Sequence, residues 1–242
     1  MTARAGCIIP SSNRMVEQEM LEAFPPDVKP HVTRLRMTGP NRAPLDAVLP
    51  RIEEATQALT DARCGVVAFH CTANSMQEGR SGEERILGAM TRAGAPQATT
   101  TATAVRRAFD ALGARKVVLI TPYDQATTDH EAEFLHEAGY QVLQATGFAL
   151  KGSDAYCATP PAFWRDRVLE TARGDAEVYF VSCANISVLG VIEELEQRLR
   201  RPVVTSNQAV VWDCVNRLGA GGGRSCPGLL FAHGRAAAPA HP

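Results

Sequence analysis

The sequence lacks the long apolar runs that a membrane protein needs. Its apolar stretches fall short of the roughly 18–20 residues of a transmembrane helix. The N-terminus passes from a short apolar run into a turn, without the apolar core of a secretion signal. Positive charge is not in excess either, since the formal net charge is −1, so no nucleic-acid-binding surface is predicted. We therefore expect a cytoplasmic protein with no membrane partner and no nucleic-acid partner.

Metal-ligand and cofactor patterns are also missing, although the chain has seven cysteines. No C-x-x-C pair or His/Cys ligand spacing occurs, which argues against a metal site. A reducing cytoplasm argues against structural disulfides. No glycine pattern for a dinucleotide or a phosphate follows a strand, so no cofactor is expected. Cys226 has no predicted role. The cysteines expected to be small buried side chains are Cys7, Cys64, Cys157 and Cys214.

The two remaining cysteines lie in two similar segments. AFHCTANS contains Cys71, and FVSCANIS contains Cys183, which comes 112 residues later. Each cysteine closes an apolar run of the kind that forms a strand buried on both faces. The apolar segments that end at Pro10 and Pro122 repeat the spacing of 112.

A second pair of segments matches at a slightly different spacing. PQATTTATAVRRAFDALG (96–113) recurs as PVVTSNQAVVWDCVNRLG (202–219), with a spacing of 106 between equivalent residues. Three matched segments in the same order indicate an internal duplication.

The duplication predicts the architecture. Strands and helices alternate in both copies, which indicates an α/β fold with parallel sheets. The helix of 101–113 precedes the first strand of the second copy, whereas its equivalent at 207–219 follows that copy's last strand. The C-terminal helix should therefore return to the first copy. We expect two similar lobes, one formed by residues 1–98 and 206–242 and the other by residues 99–205.

Both cysteines follow strands, and open parallel sheets bind ligands beyond the carboxyl ends of their strands. Two lobes that face each other would place Cys71 and Cys183 across one cleft. One thiol could then add to a substrate while the other delivers a proton, or the two could remove and return a proton on opposite faces. Uncharged hydroxyl and amide groups at the strand-to-helix turns suit an anionic substrate. They include Ser11, Asn13, Thr72, Tyr123 and Asn185.

Other polar residues near these motifs have simpler explanations. His70 precedes the first of the two cysteines, but adjacent strand residues point to opposite faces, which favours a packed histidine over a catalytic one. Asn13 also suits the N-cap of a helix that begins near Arg14. Glu17 and Glu19 are expected to be solvated in the first turn of that helix.

Six motifs, spread over nearly the whole chain, resemble those of one superfamily. They are IIPSSN (8–13), HCTANS (70–75), TPY (121–123), SCAN (182–185), RPVVTSNQAVVWD (201–213) and CPGLLF (226–231). They are similar to motifs of the aspartate/glutamate racemase superfamily, in particular its maleate cis–trans isomerases and arylmalonate decarboxylases. The resemblance implies two Rossmann-like lobes with pseudo-two-fold symmetry and an active site in the cleft between them. It also implies no metal, no organic cofactor and a homodimer.

The resemblance assigns roles to individual residues. Cys71 matches the isomerase nucleophile that adds to the double bond, and Cys183 matches the acid that protonates the neighbouring carbon. Rotation and elimination would then give the trans diacid. Asn13, Thr72 and Tyr123 match residues that hold substrate carboxylates, and the decarboxylases lack the first cysteine. Three further substrate-binding positions differ from the isomerases and bear on which substrate fits: Ala73, Ser153 and Ala184.

The leading interpretation is a cofactor-independent isomerase that uses Cys71 and Cys183 on a small dicarboxylate, as maleate isomerase does. An aspartate/glutamate-type racemase and an arylmalonate-type decarboxylase stay open as alternatives. Outside catalysis, the chain could be an organic-acid-binding protein, or a redox sensor with a disulfide between the two cysteines. The reactivity of the thiols separates these classes.

Overall fold

The computed structural model describes residues 2–37, 44–220 and 226–233. These residues form strands and helices that alternate along most of the chain. The strands are β1 (Ala3–Pro10), β2 (Val28–Leu35), β3 (Val66–Phe69), β4 (Ala98–Thr100), β5 (Lys116–Thr121), β6 (Gln141–Gly147), β7 (Val178–Val181) and β8 (Val203–Thr205). The helices are α1 (Val16–Ala23), α2 (Leu45–Asp61), α3 (Thr72–Met76), α4 (Gly79–Arg92), α5 (Thr101–Ala111), α6 (Gln125–Glu137), α7 (Gly152–Ala158), α8 (Pro161–Glu170), α9 (Ile192–Leu199), α10 (Ser206–Arg217) and α11 (Leu229–His233).

Two four-stranded sheets share one topology. The first has the order β2-β1-β3-β4 and the second β6-β5-β7-β8, and every neighbouring pair is parallel. Each strand of the second sheet takes the place of the strand four earlier in the chain. The α/β fold with two similar lobes, predicted from the duplication, is confirmed.

The central strands β3 and β7 are buried along their whole length. Their sequences, VVAF and VYFV, combine β-branched and aromatic residues, which fit a sheet covered on both faces. Each of these strands ends just before one of the two cysteines of interest. The sheets therefore fix both thiols at carboxyl edges, where parallel sheets place their ligand sites.

The helices α5 and α10 are exchanged between the sheets. Helix α5 follows β4 of the first sheet, yet its Phe109 packs edge-to-face on Phe180 of β7, with ring centroids 5.7 Å apart. Helix α10 follows β8 of the second sheet, yet it contacts β3, β4 and α1. The two helices also contact each other, and Arg107 of α5 forms a 3.0 Å ion pair with the buried Asp213 of α10.

This exchange agrees with the predicted return of the C-terminal helix. The domain boundaries themselves remain a prediction, and 221–225 and 234–242 of the predicted C-terminal segment lie outside the described residues. None of the helices described is both long and apolar enough to cross a membrane.

The expected exposure of Glu19 was wrong. Its side chain is only 3% exposed, because α1 packs one face into the protein. That face carries Val16, Met20 and Ala23, all buried, and Glu19 lies on it at helical spacing. Glu17, by contrast, is partly exposed and pairs with Arg34.

Candidate active site

Cys71 lies between β3 and α3, in an extended conformation with φ −148° and ψ 103°. It is half-buried, and its thiol donates a 3.2 Å hydrogen bond to Oδ1 of Asn74. The amide of Asn74 in turn donates to Oε1 of Gln77 over 3.0 Å. The first turn after the strand therefore orients this thiol without enclosing it.

Cys183 follows β7 and is buried, with 4% of its surface exposed. Its Sγ accepts hydrogen bonds from the backbone N–H of Asn185, over 3.3 Å, and from the Tyr123 hydroxyl. Burial raises the pKa of Cys183 to about 12; those two hydrogen bonds oppose the rise, and the nearby Glu131 and Cys71 add to it. This cysteine is therefore a protonated thiol near neutral pH.

The backbone at Cys183 is unusual, with φ +153°. Residues other than glycine rarely adopt a positive φ, because Cβ then crowds the backbone. Such strain persists only when the surrounding structure fixes it, and it clusters at functional sites.

A short relay of hydrogen bonds joins the two cysteine segments. Thr72 Oγ1 donates to Ser206 Oγ over 2.9 Å, and the backbone N–H of Cys183 donates to the same Ser206 oxygen over 3.1 Å. The structure thus brings the residue after Cys71 within two hydrogen bonds of Cys183. The Cys71 thiol also lies close enough to Cys183 to contribute to the raised pKa of Cys183.

The turn after β1 supplies the next group of polar atoms. The Asn13 amide donates to the Ala184 carbonyl over 2.9 Å, and its Oδ1 accepts from the N–H groups of Met15 and Val16 at the start of α1. Asn13 therefore supplies an acceptor at the start of α1, but the helix begins at Val16 and its N-cap residue is Met15, not Asn13 as expected. The Ser11 hydroxyl is buried and has no hydrogen-bond partner among the described residues.

Tyr123 follows β5, in a turn that packs closely against Gly147 of β6. A Cβ added at Gly147 would lie 2.7 Å from the Tyr123 carbonyl and 2.5 Å from Thr128 Oγ1, so a glycine is needed for this turn to pack on β6. Burial raises the pKa of Tyr123 well above its usual value. Its hydroxyl therefore stays protonated and can donate.

Helix α7 contributes residues that the sequence did not single out. The Tyr156 ring packs edge-to-face on Tyr123, with centroids 5.9 Å apart. Burial raises the Tyr156 pKa to about 12, and Cys183 contributes to the rise. The described part of the chain offers no hydrogen bond to the Tyr156 hydroxyl. A second phenol therefore lies near the buried thiol.

Cys157, also on α7, corrects an expectation. It is half-buried rather than a filler of the core, and its thiol donates to Oδ1 of Asn185 over 3.2 Å. The same oxygen accepts the backbone N–H of Arg14 over 2.8 Å. Because α7 is only partly covered, Cys157 reaches the site from its rim. Cys7, Cys64 and Cys214 are buried as expected.

Most of the predicted site residues are linked by these contacts. Ala73 and Ser153 are half-buried, and the Ser153 hydroxyl has no hydrogen bond to a described residue. Ser153 belongs to α7, whose next residue, Asp154, forms a 2.6 Å ion pair with Arg14. The residues connected directly by hydrogen bonds or through Ser206 are Asn13, Thr72, Tyr123, Cys183, Ala184 and Asn185. Their roles toward a substrate remain predictions.

His70 does not face the site with a free nitrogen. Nδ1 lies 3.0 Å from Thr101 Oγ1, and Nε2 lies 2.8 Å from Asn207 Oδ1. The Asn207 amide donates to Glu19 over 2.8 Å, so its oxygen faces the histidine and His70 Nε2 carries the proton. Burial lowers the His70 pKa from 6.5 to about 4. His70 is a neutral, packed residue rather than a base for Cys71.

The arrangement suits covalent and acid–base chemistry by two unequal thiols. Cys71 is the more accessible, and Cys183 is held as an acid by burial. Among the described residues, no group of three His, Cys, Asp or Glu side chains could hold a metal ion. All seven cysteines carry free thiols.

Comparisons with known proteins relate the chain to decarboxylases and isomerases. A family model described as arylmalonate decarboxylase matches residues 5–231. The chain is 29% identical to the arylmalonate decarboxylase of Bordetella bronchiseptica over 230 residues, which cover 94% of this chain and 95% of that protein. It is 26% identical to the maleate isomerase of Geobacillus stearothermophilus, again over 230 residues, with 89% and 91% covered.

A solved structure gives the same fold. It is the Nocardia farcinica maleate cis–trans isomerase, in a Cys→Ser variant with a covalently bound succinylcysteine intermediate. The TM-score is 0.87, and the match covers 95% of this chain and 98% of that one. At 21% identity this likeness shows the fold.

Proposed function

Because the chain belongs to the arylmalonate decarboxylase family, we propose that it is a cofactor-independent cis–trans isomerase of a small dicarboxylate, with maleate as the first substrate to test. The family includes relatives that decarboxylate and relatives that isomerise. The choice between them depends on the chain's own residues.

One observation carries the proposal: the chain has a cysteine at both strand ends, and the two differ in environment. Cys71 is half-buried with an oriented thiol, whereas Cys183 is buried and protonated. A nucleophile must reach the substrate as a thiolate, and an acid must hold its proton until it is needed. Cys183 meets the second requirement, and the more accessible Cys71 is left as the nucleophile, which must first lose the proton that it donates to Asn74.

The reaction begins with the thiolate of Cys71 and the thiol of Cys183. The thiolate adds to one alkene carbon of maleate, and the π electrons move toward the carboxylate on the other carbon. That carbon takes the proton of Cys183, which gives a succinyl group bonded to Cys71. Rotation then takes place about the carbon–carbon bond that was the alkene. The Cys183 thiolate takes the proton back, the double bond forms again, and the bond from carbon to Cys71 sulfur breaks to release the Cys71 thiolate. Fumarate is released, and both cysteines return to their first state.

The solved Nocardia enzyme supports the covalent step, since its variant holds a succinylcysteine. Here the hydroxyl donors around the thiols would hold the carboxylates and stabilise the enediolate. Tyr123 has a protonated hydroxyl at Cys183, and Ser11 has one without a protein partner. We also propose that the protein is a cytoplasmic homodimer. Light scattering in solution measures the molar mass and would test the dimer.

Decarboxylation is the second candidate, and a specific observation favours it: the match to the Bordetella decarboxylase is 29%, against 26% for the Geobacillus isomerase. Loss of CO₂ from a malonate leaves an enediolate that needs one proton, and Cys183 alone could supply it. Cys71 would then be dispensable. The two candidates therefore differ in whether Cys71 is required.

The experiment is proton NMR of the purified protein in D₂O with maleate, fumarate, aspartate, glutamate and phenylmalonate. Each substrate is also given to Cys71→Ala, to Cys183→Ala and to the control Cys64→Ala, which changes a buried thiol of the helix-covered core. Conversion of maleate that is lost in the first two variants and kept in the control supports the isomerase.

The other outcomes point elsewhere. Loss of CO₂ from phenylmalonate that survives Cys71→Ala would replace the isomerase with a decarboxylase. Deuterium entering the α-carbon of an amino acid would indicate a racemase. No reaction across the panel, with Cys71 alkylated as slowly as the buried Cys64, would refute a catalytic pair.

A further inference from the structure

Two buried carboxylates lie at equivalent positions of the duplicated halves. Glu19 is on α1 and Glu131 is on α6, and they are 112 residues apart, as are Cys71 and Cys183. Glu19 is 3% exposed and Glu131 1% exposed. A buried carboxylate is costly unless donors surround it, so a pair at equivalent positions calls for an account of what each one binds.

Glu131 binds the residue just before Cys183. The Ser182 hydroxyl donates to its Oε2 over 2.6 Å, and Ser182 is itself fully buried. A hydrogen bond to a carboxylate is shorter and stronger than one between neutral groups. The entrance to the Cys183 turn is therefore fixed from within its own lobe.

Glu19 binds the residues after Cys183 from the other half of the chain. Its Oε1 accepts the N–H groups of Val188, over 3.0 Å, and Leu189, over 3.5 Å, and the Ser187 hydroxyl is a further partner. Residues 182–189, here called the Cys183 segment, are thus held at both ends. The two ends are held by the two equivalent carboxylates.

The second oxygen of Glu19 leads to the other cysteine. Oε2 accepts from the Asn207 amide over 2.8 Å, and Asn207 Oδ1 accepts from His70 Nε2 over 2.8 Å. His70 directly precedes Cys71 and is the equivalent of Ser182 at the spacing of 112. One carboxylate therefore contacts the Cys183 segment directly and the residue before Cys71 through one amide.

We infer that Glu19 and Glu131 are positioning residues that clamp the Cys183 segment and set the two thiols relative to each other. Cys183 has φ +153°, and a residue in such a conformation relaxes unless its flanks are held. Neither carboxylate needs to touch the substrate. The expected effect on catalysis rests on the proposed function, whereas the holding of the Cys183 segment by the two carboxylates does not.

The test uses four variants of the full chain. Glu19→Ala removes one end of the clamp, and Ser182→Ala disconnects the other. Glu19→Gln keeps an acceptor for Val188 and Leu189. Glu22→Gln, on the exposed part of the same helix, is the matched control.

Two readouts need no turnover: the rate at which iodoacetamide alkylates Cys183, and amide hydrogen exchange in the Cys183 segment. Both should rise by about tenfold or more in Glu19→Ala and Ser182→Ala, because a held segment that is released opens locally. Exchange in β5 and in α2 should stay as in the wild type. With maleate, kcat should fall by up to about 100-fold while KM changes little, because small misplacements of reacting groups affect the chemical step.

Glu19→Gln separates positioning from plain stability. The new amide nitrogen would meet the Asn207 amide, donor against donor, unless Asn207 turns over and presents its oxygen. The Asn207 nitrogen would then face His70 Nε2, and the histidine proton would move to Nδ1. Nitrogen-15 NMR of His70 should show this change of tautomer, with kcat restored toward the wild type.

Three results would overturn the inference. Unchanged Cys183 alkylation and exchange in both alanine variants would show that no clamp exists. A rise that is equal throughout the protein would show general loosening instead. An unchanged His70 tautomer in Glu19→Gln would break the proposed connection to Cys71. A wild type that does not convert maleate refutes the proposed function but leaves the first two readouts and the tautomer free to decide the clamp.

Discussion

The strain at Cys183 can be measured by replacing it with alanine and with glycine. Alanine keeps Cβ and hence the crowding at φ +153°, whereas glycine removes it. A strained residue of this kind costs about 1–3 kcal/mol. Glycine itself loses about 0.5–1 kcal/mol relative to alanine through the entropy of the unfolded chain.

A second pair of variants supplies the reference. Cys157 lies within α7 and is not among the residues with positive φ, so Cys157→Gly should be about 1 kcal/mol less stable than Cys157→Ala, as in an ordinary helix. At position 183 the relief of strain should cancel or reverse that difference. At each position we take the free energy of unfolding of the glycine variant minus that of the alanine variant. This difference should be about 1–3 kcal/mol more favourable to glycine at position 183 than at position 157.

Urea unfolding followed by circular dichroism is the assay, with equal m-values required for all four variants. For a chain of this size, 1 kcal/mol corresponds to about 2–4 °C in Tm, so the comparison is within reach of thermal scans too. If glycine is less stable than alanine by the same amount at both positions, the backbone at Cys183 is not strained. The contacts of Glu19 and Glu131 would then have no backbone strain at Cys183 to hold in place.

Three other expectations follow from the site. His70 has its pKa lowered from 6.5 to about 4, so its contribution to stability is lost as pH falls through that range, while the raised pKa of the buried Glu19 acts in the opposite direction. Cys183 has its pKa raised from 9.0 to about 12, and the pKa values of the buried Cys7, Cys64 and Cys214 are also raised, so the contributions of these thiols are lost together as pH rises above 9.0. Urea unfolding should show the loss of stability above pH 9.0, and between about pH 6.5 and 4 the wild type should lose up to about 1.4 kcal/mol per pH unit more than His70→Gln does; equal losses in the two proteins would refute the neutral, buried histidine. Tyr123→Phe should lower kcat/KM for maleate by about 10- to 100-fold with little change in Tm, since it removes one charge-stabilising donor; steady-state kinetics with full activity would exclude the hydroxyl. Ser206→Ala should lower kcat more than it changes KM, because it breaks the link between Thr72 and the Cys183 backbone, and kinetics unchanged from the wild type would show that the link is idle.

Much of the fold could be predicted because the chain repeats itself. Apolar runs gave the buried strands, and the spacing of 112 gave two similar sheets. The position of α10 followed from its place after the last strand of the second copy, and the observed contacts with β3 and α1 agree with it. Local pattern and internal symmetry were sufficient for these features.

The site was harder to predict because its contacts join residues far apart in sequence. Ser206 lies within a motif noted in the sequence, but its position between Thr72 and Cys183 depends on how α10 crosses to the first lobe. Tyr156 lies on a short helix whose docking on Tyr123 has no periodic signal.

Glu19 did have a signal. Its spacing from Val16, Met20 and Ala23 places it on the buried face of α1, and its spacing of 112 from Glu131 marks it as half of a pair. A charged residue in a first helical turn suggests solvent exposure, which is the opposite of what these two signals indicate.

The exchange of α5 and α10 also bears on how the chain is made. During synthesis the first sheet is complete once β4 has left the ribosome, yet the helix that contacts β3 and α1 comes more than 100 residues later. We therefore expect this protein to depart from the usual order, in which an N-terminal domain folds before the next is made. We expect its nascent first half to keep an apolar surface uncovered until α10 is made, and the finished chain to fold and unfold as one cooperative unit.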